Sequence, residues 1–373
     1  MIYHPATCNP ARSTAEREFQ TRRVQLIAEL AGSKLGALIV SFPANIRYLT
    51  GFTGSNALVL LWPGGAVLFT DPRYRIQASE ETTCKVRVAK GPLFVPLMNA
   101  ARRNKIRRLG FEGSRLSYET YQLLKENLPL GASLEPVAGL LEAQRMIKSG
   151  AEVSLLRRSA LTNSEAFRRA LAKVRPKMRE SDLAAELEYQ MRLLGADKPA
   201  FETIVTFGPR TALPHARAAA NTLANNQLLL VDVGASQDGY ASDMTRMAFL
   251  GKPGGKVKRL YQAVLEAQLA AVSTVRQGVH AERVDRAARR VLRARKLEQA
   301  FVHSCGHGLG LEIHEPPRLG KGDKTVLQAG MVITIEPGAY IEGFGGVRIE
   351  DTVVVTSTGC EVLTPASKEL LIL

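Results

Sequence analysis

Cysteine is scarce in this chain: Cys8, Cys84, Cys305 and Cys360 are the four in 373 residues. They form no close pair and no CxxC spacing, so neither a disulfide framework nor a thiolate zinc site is expected, and a reducing cytoplasm is the simplest compartment. No segment approaches the ~18 uninterrupted apolar residues of a membrane span, so no membrane partner is expected. The stretch containing His4, Pro5, Asn9, Pro10 and Arg12 lacks the apolar run of a secretory signal. Low-complexity segments and short repeats are missing too. Acidic residues are in deficit, with Asp plus Glu 35 against Lys plus Arg 50 and a formal charge of +15, which raises the question of anionic partners. The excess is spread along the chain. Its densest run, residues 286–296, alternates arginines with Ala, Val and Leu at helical spacing, the pattern of a solvated helix face, and nucleic acid is not expected as a partner.

What remains is ordinary for a globular protein: 45% hydrophobic and 23% charged residues. The length suggests two domains. Residues 1–140 read as a small α/β domain: a helix at 24–31, a strand at 37–40, and a hairpin at 57–62 and 66–70 around Pro63-Gly64-Gly65. Asp71 is expected to cap a helix opening with Pro72, and helix and strand then alternate to Leu128. Residues 141–373 begin with a long helical stretch broken near Ser149-Gly150 and ended by Pro176. A helix follows from Ser181-Asp182, then strands at 203–207, 228–234 and 240–249, helices at 256–276 and 281–297, and a strand-rich end.

His303, His307 and His314 fall within twelve residues, interspersed with Gly306, Gly308 and Gly310. That glycine density opposes a helix and fits a strand entering a tight turn. Glu336 and Glu350 end β-branched apolar runs that read as strands. Asp232 ends another, and a four-residue loop Ser236-Gln237-Asp238-Gly239 would set it opposite Asp243. A turn centred on Gly343 would likewise set Glu336 opposite Glu350. Two hairpins presenting opposed carboxylates are destabilised unless cations neutralise them. Four carboxylates and an imidazole favour Mn(II), Co(II) or a similar ion. Two ions roughly 3.5 Å apart would hold a water between them and bring its pKa near neutrality.

The order Asp232, Asp243, His307, Glu336, Glu350 resembles the ligand set of the pita-bread metallopeptidases, the group of methionine aminopeptidase, aminopeptidase P and prolidase. The surrounding motifs are similar as well: Leu213-Pro-His-Ala216, Gly239-Tyr-Ala-Ser-Asp-Met-Thr-Arg246, Gly306-His-Gly-Leu-Gly-Leu311 with His314-Glu315, Ile335-Glu-Pro-Gly338 and Val347-Arg-Ile-Glu-Asp351. One departure is Met247, where the family commonly has threonine, but it is not a ligand position. The resemblance implies an α/β (α+β) protein with a creatinase-type amino-terminal domain and a pita-bread catalytic domain. It further implies two divalent ions, with Mn2+ first and Co2+ or Zn2+ as alternatives. Asp232 would chelate one ion, His307 and Glu336 the other, and Asp243 and Glu350 would bridge. His215 and His314 would contact the substrate carbonyl, His303 would line the pocket, Arg348 would support the bridging glutamate, and Glu336 would shuttle a proton.

Asn45-Ile-Arg-Tyr-Leu-Thr-Gly-Phe-Thr-Gly-Ser55 and Phe69-Thr-Asp-Pro-Arg-Tyr74 look like the amino-terminal domain of aminopeptidase P. The leading expectation is therefore a homodimeric Xaa-Pro aminopeptidase acting on peptides with proline in the second position. A prolidase restricted to dipeptides is the alternative, and a non-catalytic binding module of the same fold is a third reading.

Overall fold

The computed structural model describes residues 10–373, so the residues His4, Pro5, Cys8 and Asn9 lie outside it. The chain divides into two compact units, Met1–Gln144 and Arg145–Leu373.

The first unit is built on one six-stranded sheet. In spatial order its strands are Lys85–Val88, Gly65–Thr70, Ala57–Trp62, Ala37–Val40, Arg108–Glu112 and Ser133–Val137. The central strand Ala37–Val40 is buried along its whole length, as an uninterrupted apolar run requires. Trp62 pairs with Gly65 across the two-residue turn Pro63-Gly64. Asp71 does act as a cap, its carboxylate accepting from the Arg73 N–H at 2.9 Å, although the first turn is 3-10 before the α-helix Arg75–Glu81 begins. The alternation read from sequence omits Ser133–Val137. That strand lies at the sheet edge and contains Pro136, which weakens its signal without preventing edge pairing.

The break expected near Ser149-Gly150 falls between helices Leu140–Met146 and Gly150–Leu171. Ser149 caps the longer helix in a reciprocal box with Glu152. The next helix, Glu180–Leu193, starts one residue earlier than expected because Arg179 and Asp182 form its cap. Beyond it lie a four-stranded sheet, with Leu371–Ile372, Met244–Leu250, Gln227–Val233 and Ile204–Phe207 side by side, and a five-stranded sheet in the order Glu315–Leu319, Gly306–Gly308, Val332–Ile335, Asp351–Val355, Cys360–Val362. Helices Gly255–Thr274 and Ala281–Ala294 share one core with both sheets, through Leu260, Val264 and Val284 against Leu228, Phe249, Ile333 and Val353. The arginine run lies on the second of these helices as a solvated face. Arg286, Arg289, Arg293 and Arg295 pair with Glu282, Asp285, Glu298 and Glu266.

Candidate active site

Asp232 lies near the end of strand Gln227–Val233, and Asp243 just before strand Met244–Leu250. The hairpin between them differs from expectation. Gln237 pairs with Tyr240, so the loop is the two residues Asp238-Gly239, with φ of 49° and 74°. Such a turn needs left-handed backbone at both positions, which Asp-Gly accommodates. Asp232 accordingly faces Thr245 rather than Asp243. The displacement is two residues, and side chains alternate with period two, so Asp232 and Asp243 still share one face as diagonal neighbours.

The second register is the expected one. Ile335 pairs with Asp351 and Gly338 with Arg348, placing Glu336 and Glu350 at the same level between the two pairs. Their backbones turn to other partners, Glu336 N–H to the Cys305 carbonyl and Glu350 N–H to the Thr245 carbonyl. Arg246, almost fully buried, donates to the Glu350 and Thr245 carbonyls and to the Asp351 carboxylate, which fixes the strand carrying Glu350.

His307 enters from strand Gly306–Gly308, which squeezes between two neighbours. A Cβ on Gly306 would lie 2.0 Å from the Thr334 carbonyl oxygen, and one on Gly308 2.2 Å from that of Pro316. Glycine is required at both flanks for so close a backbone approach. The His307 Nδ1–H donates to the Gly308 carbonyl at 2.9 Å, leaving Nε2 3.5 Å from Asp243 Oδ2 and 3.7 Å from Glu336 Oε1. His307 and His314 rings meet edge to face at 4.5 Å. The loop to His314 is held by Glu315, whose buried carboxylate receives Arg145 and, at 3.1 Å, Lys148.

These groups line a cavity of about 420 Å³ that includes Asp232, Asp243, His307, Glu336 and Glu350, together with His215, His303, His314 and Arg348. The structure thus brings every residue singled out for the site into one cavity. Ligand atoms of Asp243, His307 and Glu350 all lie within 4.8 Å of one another.

The electrostatics follow from crowding. Burial pushes the Glu336 carboxyl up to about 8, with the Arg348 charge opposing and Asp232 adding to the rise. Asp243 and Glu350 are also driven far above the usual carboxylate range, by burial first and by neighbouring carboxylates second. His303 and His307 are each lowered to about 4, chiefly by burial. His314 is lowered by burial and by the nearby His215. Asp232 Oδ1 is buried with no hydrogen-bond partner. An orphaned carboxylate oxygen beside three other acids and an imidazole nitrogen is a donor set that divalent cations satisfy.

Arg348, expected to support Glu350, is linked to it only through Thr245. Its Nη2 donates to Asp232 Oδ2 at 2.6 Å, its Nη1 to the Tyr340 hydroxyl at 2.7 Å and the Pro214 carbonyl at 3.2 Å, and its Nε to Thr245 Oγ1 at 3.0 Å. Thr245 Oγ1 in turn donates to Glu350 Oε2 at 2.8 Å. Four of the five N–H donors of this cavity-lining guanidinium are thus taken up by protein groups. Tyr340 also meets His303 Nε2 at 2.9 Å, while the His303 Nδ1–H donates to the Ser304 carbonyl. Tyr340 carries no signal in the sequence, and Thr245 stands there only within the motif Gly239–Arg246, without a role. The available signal was parity, since Thr245 is two residues from Asp243.

A family model described as metallopeptidase family M24 matches residues 154–357, and one described as the creatinase/prolidase N-terminal domain matches residues 22–147. The Xaa-Pro dipeptidase of Pyrococcus furiosus is 34% identical over 350 residues, spanning 94% of this chain and 99% of its own. Among solved structures, an Xaa-Pro dipeptidase from Bacillus anthracis aligns with a TM-score of 0.93 at 36% identity, over 95% of this chain and 100% of its own. An X-Pro aminopeptidase from Thermotoga maritima aligns with a TM-score of 0.89 at 32% identity, over 94% and 100%.

Proposed function

The chain belongs to metallopeptidase family M24, and we propose that it is an Xaa-Pro dipeptidase, hydrolysing the imide bond of free dipeptides ending in proline. This reading takes the place of the aminopeptidase expected from the amino-terminal motifs. The observation that carries it is the near end-to-end likeness to proteins named Xaa-Pro dipeptidase. The Thermotoga maritima likeness keeps the aminopeptidase as the second reading.

In this proposal Asp232, Asp243, His307, Glu336 and Glu350 would together hold two divalent ions. The orphaned Asp232 oxygen and the clustering of Asp243, His307 and Glu350 support the assignment. Oxygen-rich ligands favour Mn(II), with Co(II) and Zn(II) as alternatives. When bound, the ions supply a Lewis acid and a source of hydroxide near neutral pH.

The remaining work belongs to the side chains. His215 and His314 line the same cavity. With its pKa lowered, His314 is neutral at pH 7 and offers one N–H to the oxygen of the scissile carbonyl as negative charge develops there. Addition of water to the carbonyl carbon forms the new C–O bond. Cleavage of the C–N bond then requires a proton on the departing proline nitrogen, and Glu336 carries it from water to that nitrogen. Phe201, Ile204 and Ile313 supply apolar wall for the pyrrolidine ring. For assembly and location we keep the homodimer and the cytoplasm expected from the sequence; sedimentation velocity and cell fractionation test them.

The deciding assay compares Ala-Pro with Ala-Pro-Ala in metal-replete protein. A higher kcat/KM for the dipeptide is expected. An equal or higher value for the tripeptide would return the assignment to an aminopeptidase.

A further inference from the structure

The basic run at residues 286–296 forms a solvated helix face with one exception. Arg286 and Arg293 have side chains 71% exposed, and their acidic partners are themselves part-exposed. Arg289 is only 25% exposed, and its partner one helical turn earlier, Asp285, is 3% exposed. This pair is turned against the protein, where a carboxylate is tolerated only with its hydrogen bonds satisfied.

What it meets is the backbone of residues 301–305, between the short helix Glu298–Ala300 and the strand Gly306–Gly308. Arg289 Nη1 donates to the Phe301 carbonyl at 3.0 Å and Nη2 to the His303 carbonyl at 2.6 Å, while Nε donates to Asp285 Oδ2 at 2.8 Å. Asp285 Oδ1 accepts from the Cys305 N–H at 3.2 Å. Two side chains thus hold three alternate residues of a segment that has neither helix nor strand of its own. Ring packing follows the same path. The Arg289 guanidinium lies 4.3 Å from the centre of the Phe301 ring, Phe301 meets His303 edge to face at 5.0 Å, and His303 meets Tyr340 at 5.6 Å.

We propose that Arg289, braced by Asp285, is a positioning residue of the active site that fixes His303 in the cavity wall. The assignment rests on the cavity being the peptidase site, and not on the choice between dipeptidase and aminopeptidase. Both ring nitrogens of His303 are committed, Nδ1–H to the Ser304 carbonyl at 2.8 Å and Nε2 to the Tyr340 hydroxyl at 2.9 Å. Those contacts survive only while the backbone beneath the ring stays in place. Phe301 and Cys305 are buried but Val302 between them is exposed, so side-chain burial fixes the two ends of the segment and leaves its middle to the clamp. A planar guanidinium fork spans two carbonyls at once, which a lysine ammonium does not reproduce.

The test is a double-mutant cycle on the metal-replete full chain, read with whichever of Ala-Pro and Ala-Pro-Ala the wild type hydrolyses faster. Arg289→Met should raise KM roughly 10-fold with kcat and metal content little changed, because His303 lines the cavity but stands outside the proposed ligand set. Arg289→Lys, which keeps the charge and loses the fork, should fall between. Arg293→Met removes an exposed pair of the same run and should leave KM alone. His303→Ala should raise KM by a similar factor, and adding Arg289→Met to it should change nothing further, as for two residues acting as one. Should Arg289→Met not fold, the cycle is closed with Arg289→Lys.

A second readout needs no substrate. In metal-free protein with isotope-labelled histidine, the His303 imidazole, assigned by its loss in His303→Ala, should show a single Nδ1–H tautomer by NMR, and Arg289→Met should convert it to a mixture. A variant with lowered Tm but wild-type KM and an unchanged tautomer, or effects that simply add in the double mutant, would reduce the pair to a structural salt bridge and overturn the proposal. Loss of bound metal in Arg289→Met would overturn it too, by placing the action at the ligands. If the wild type hydrolyses neither peptide, the peptidase reading fails on that result alone, and the tautomer measurement still decides whether Arg289 orients His303.

Discussion

Removing the metal should make this protein's stability fall with pH in a window where the metal-loaded protein is indifferent. Glu336 titrates near 8 in the folded, metal-free chain against 4.5 for an ordinary glutamate. Its folded pKa is raised, so stability is lost as pH rises from 4.5 towards 8, while the unfolded chain ionises and the folded one keeps its proton. The buried histidines act in the opposite sense. His303 and His307 drop from 6.5 to about 4, and their contribution to stability rises between those values and is complete by pH 6.5. The clean window therefore runs from 6.5 to about 8. Across it Glu336 alone costs roughly 2 kcal/mol, at 1.36 kcal/mol per pH unit. Asp243 and Glu350, also raised, act in the same direction. For a unit the size of Arg145–Leu373, 2 kcal/mol corresponds to a Tm drop of about 4–8 °C. Differential scanning calorimetry of chelated and Mn(II)-loaded protein at pH 6.5, 7.2 and 8.0 reads the effect. The loaded protein should stay flat, because bound cations keep the carboxylates ionised throughout. A chelated protein whose Tm is level or rises over this window would refute the account of crowded, uncompensated acids.

Purified protein should carry about two divalent ions per chain by elemental analysis, and chelation should abolish a peptidase activity that Mn(II) or Co(II) restores; full activity in demonstrably metal-free protein would exclude the scheme. His314→Ala should lower kcat by roughly 10²-fold, as loss of one donor to the developing oxyanion does, with metal content nearly unchanged. Thr245→Val removes the hydroxyl between Arg348 Nε and Glu350 Oε2 and should weaken metal affinity roughly 10- to 100-fold, read by titration with a chelating competitor; unchanged affinity would mean that the hydroxyl does not orient Glu350.

Much of the site was legible because its residues sit at strand ends with strong local signals. The apolar run before Asp232, the β-branched runs before Glu336 and Glu350, and the glycines around His307 all mark strands. The second hairpin came out in register. The first was displaced by two because a four-residue loop was read where Asp238 and Gly239 make a two-residue turn. The error did little harm, since a slip of two leaves every side chain on its own face, whereas a slip of one would have turned Asp232 away from Asp243.

Sequence alone determined the kinds of side chain at the candidate site, their order along the chain and the faces they occupy, because strand periodicity and turn chemistry are local properties. Tertiary structure decided what each group meets. His307 comes within 3.5 Å of Asp243 although His307 lies in the five-stranded sheet and Asp243 just before a strand of the four-stranded one. Arg348 turns to Asp232, 116 residues away, and reaches Glu350 only through Thr245. Contacts of this kind depend on how sheets and loops pack across long separations, and no periodicity within a segment encodes them.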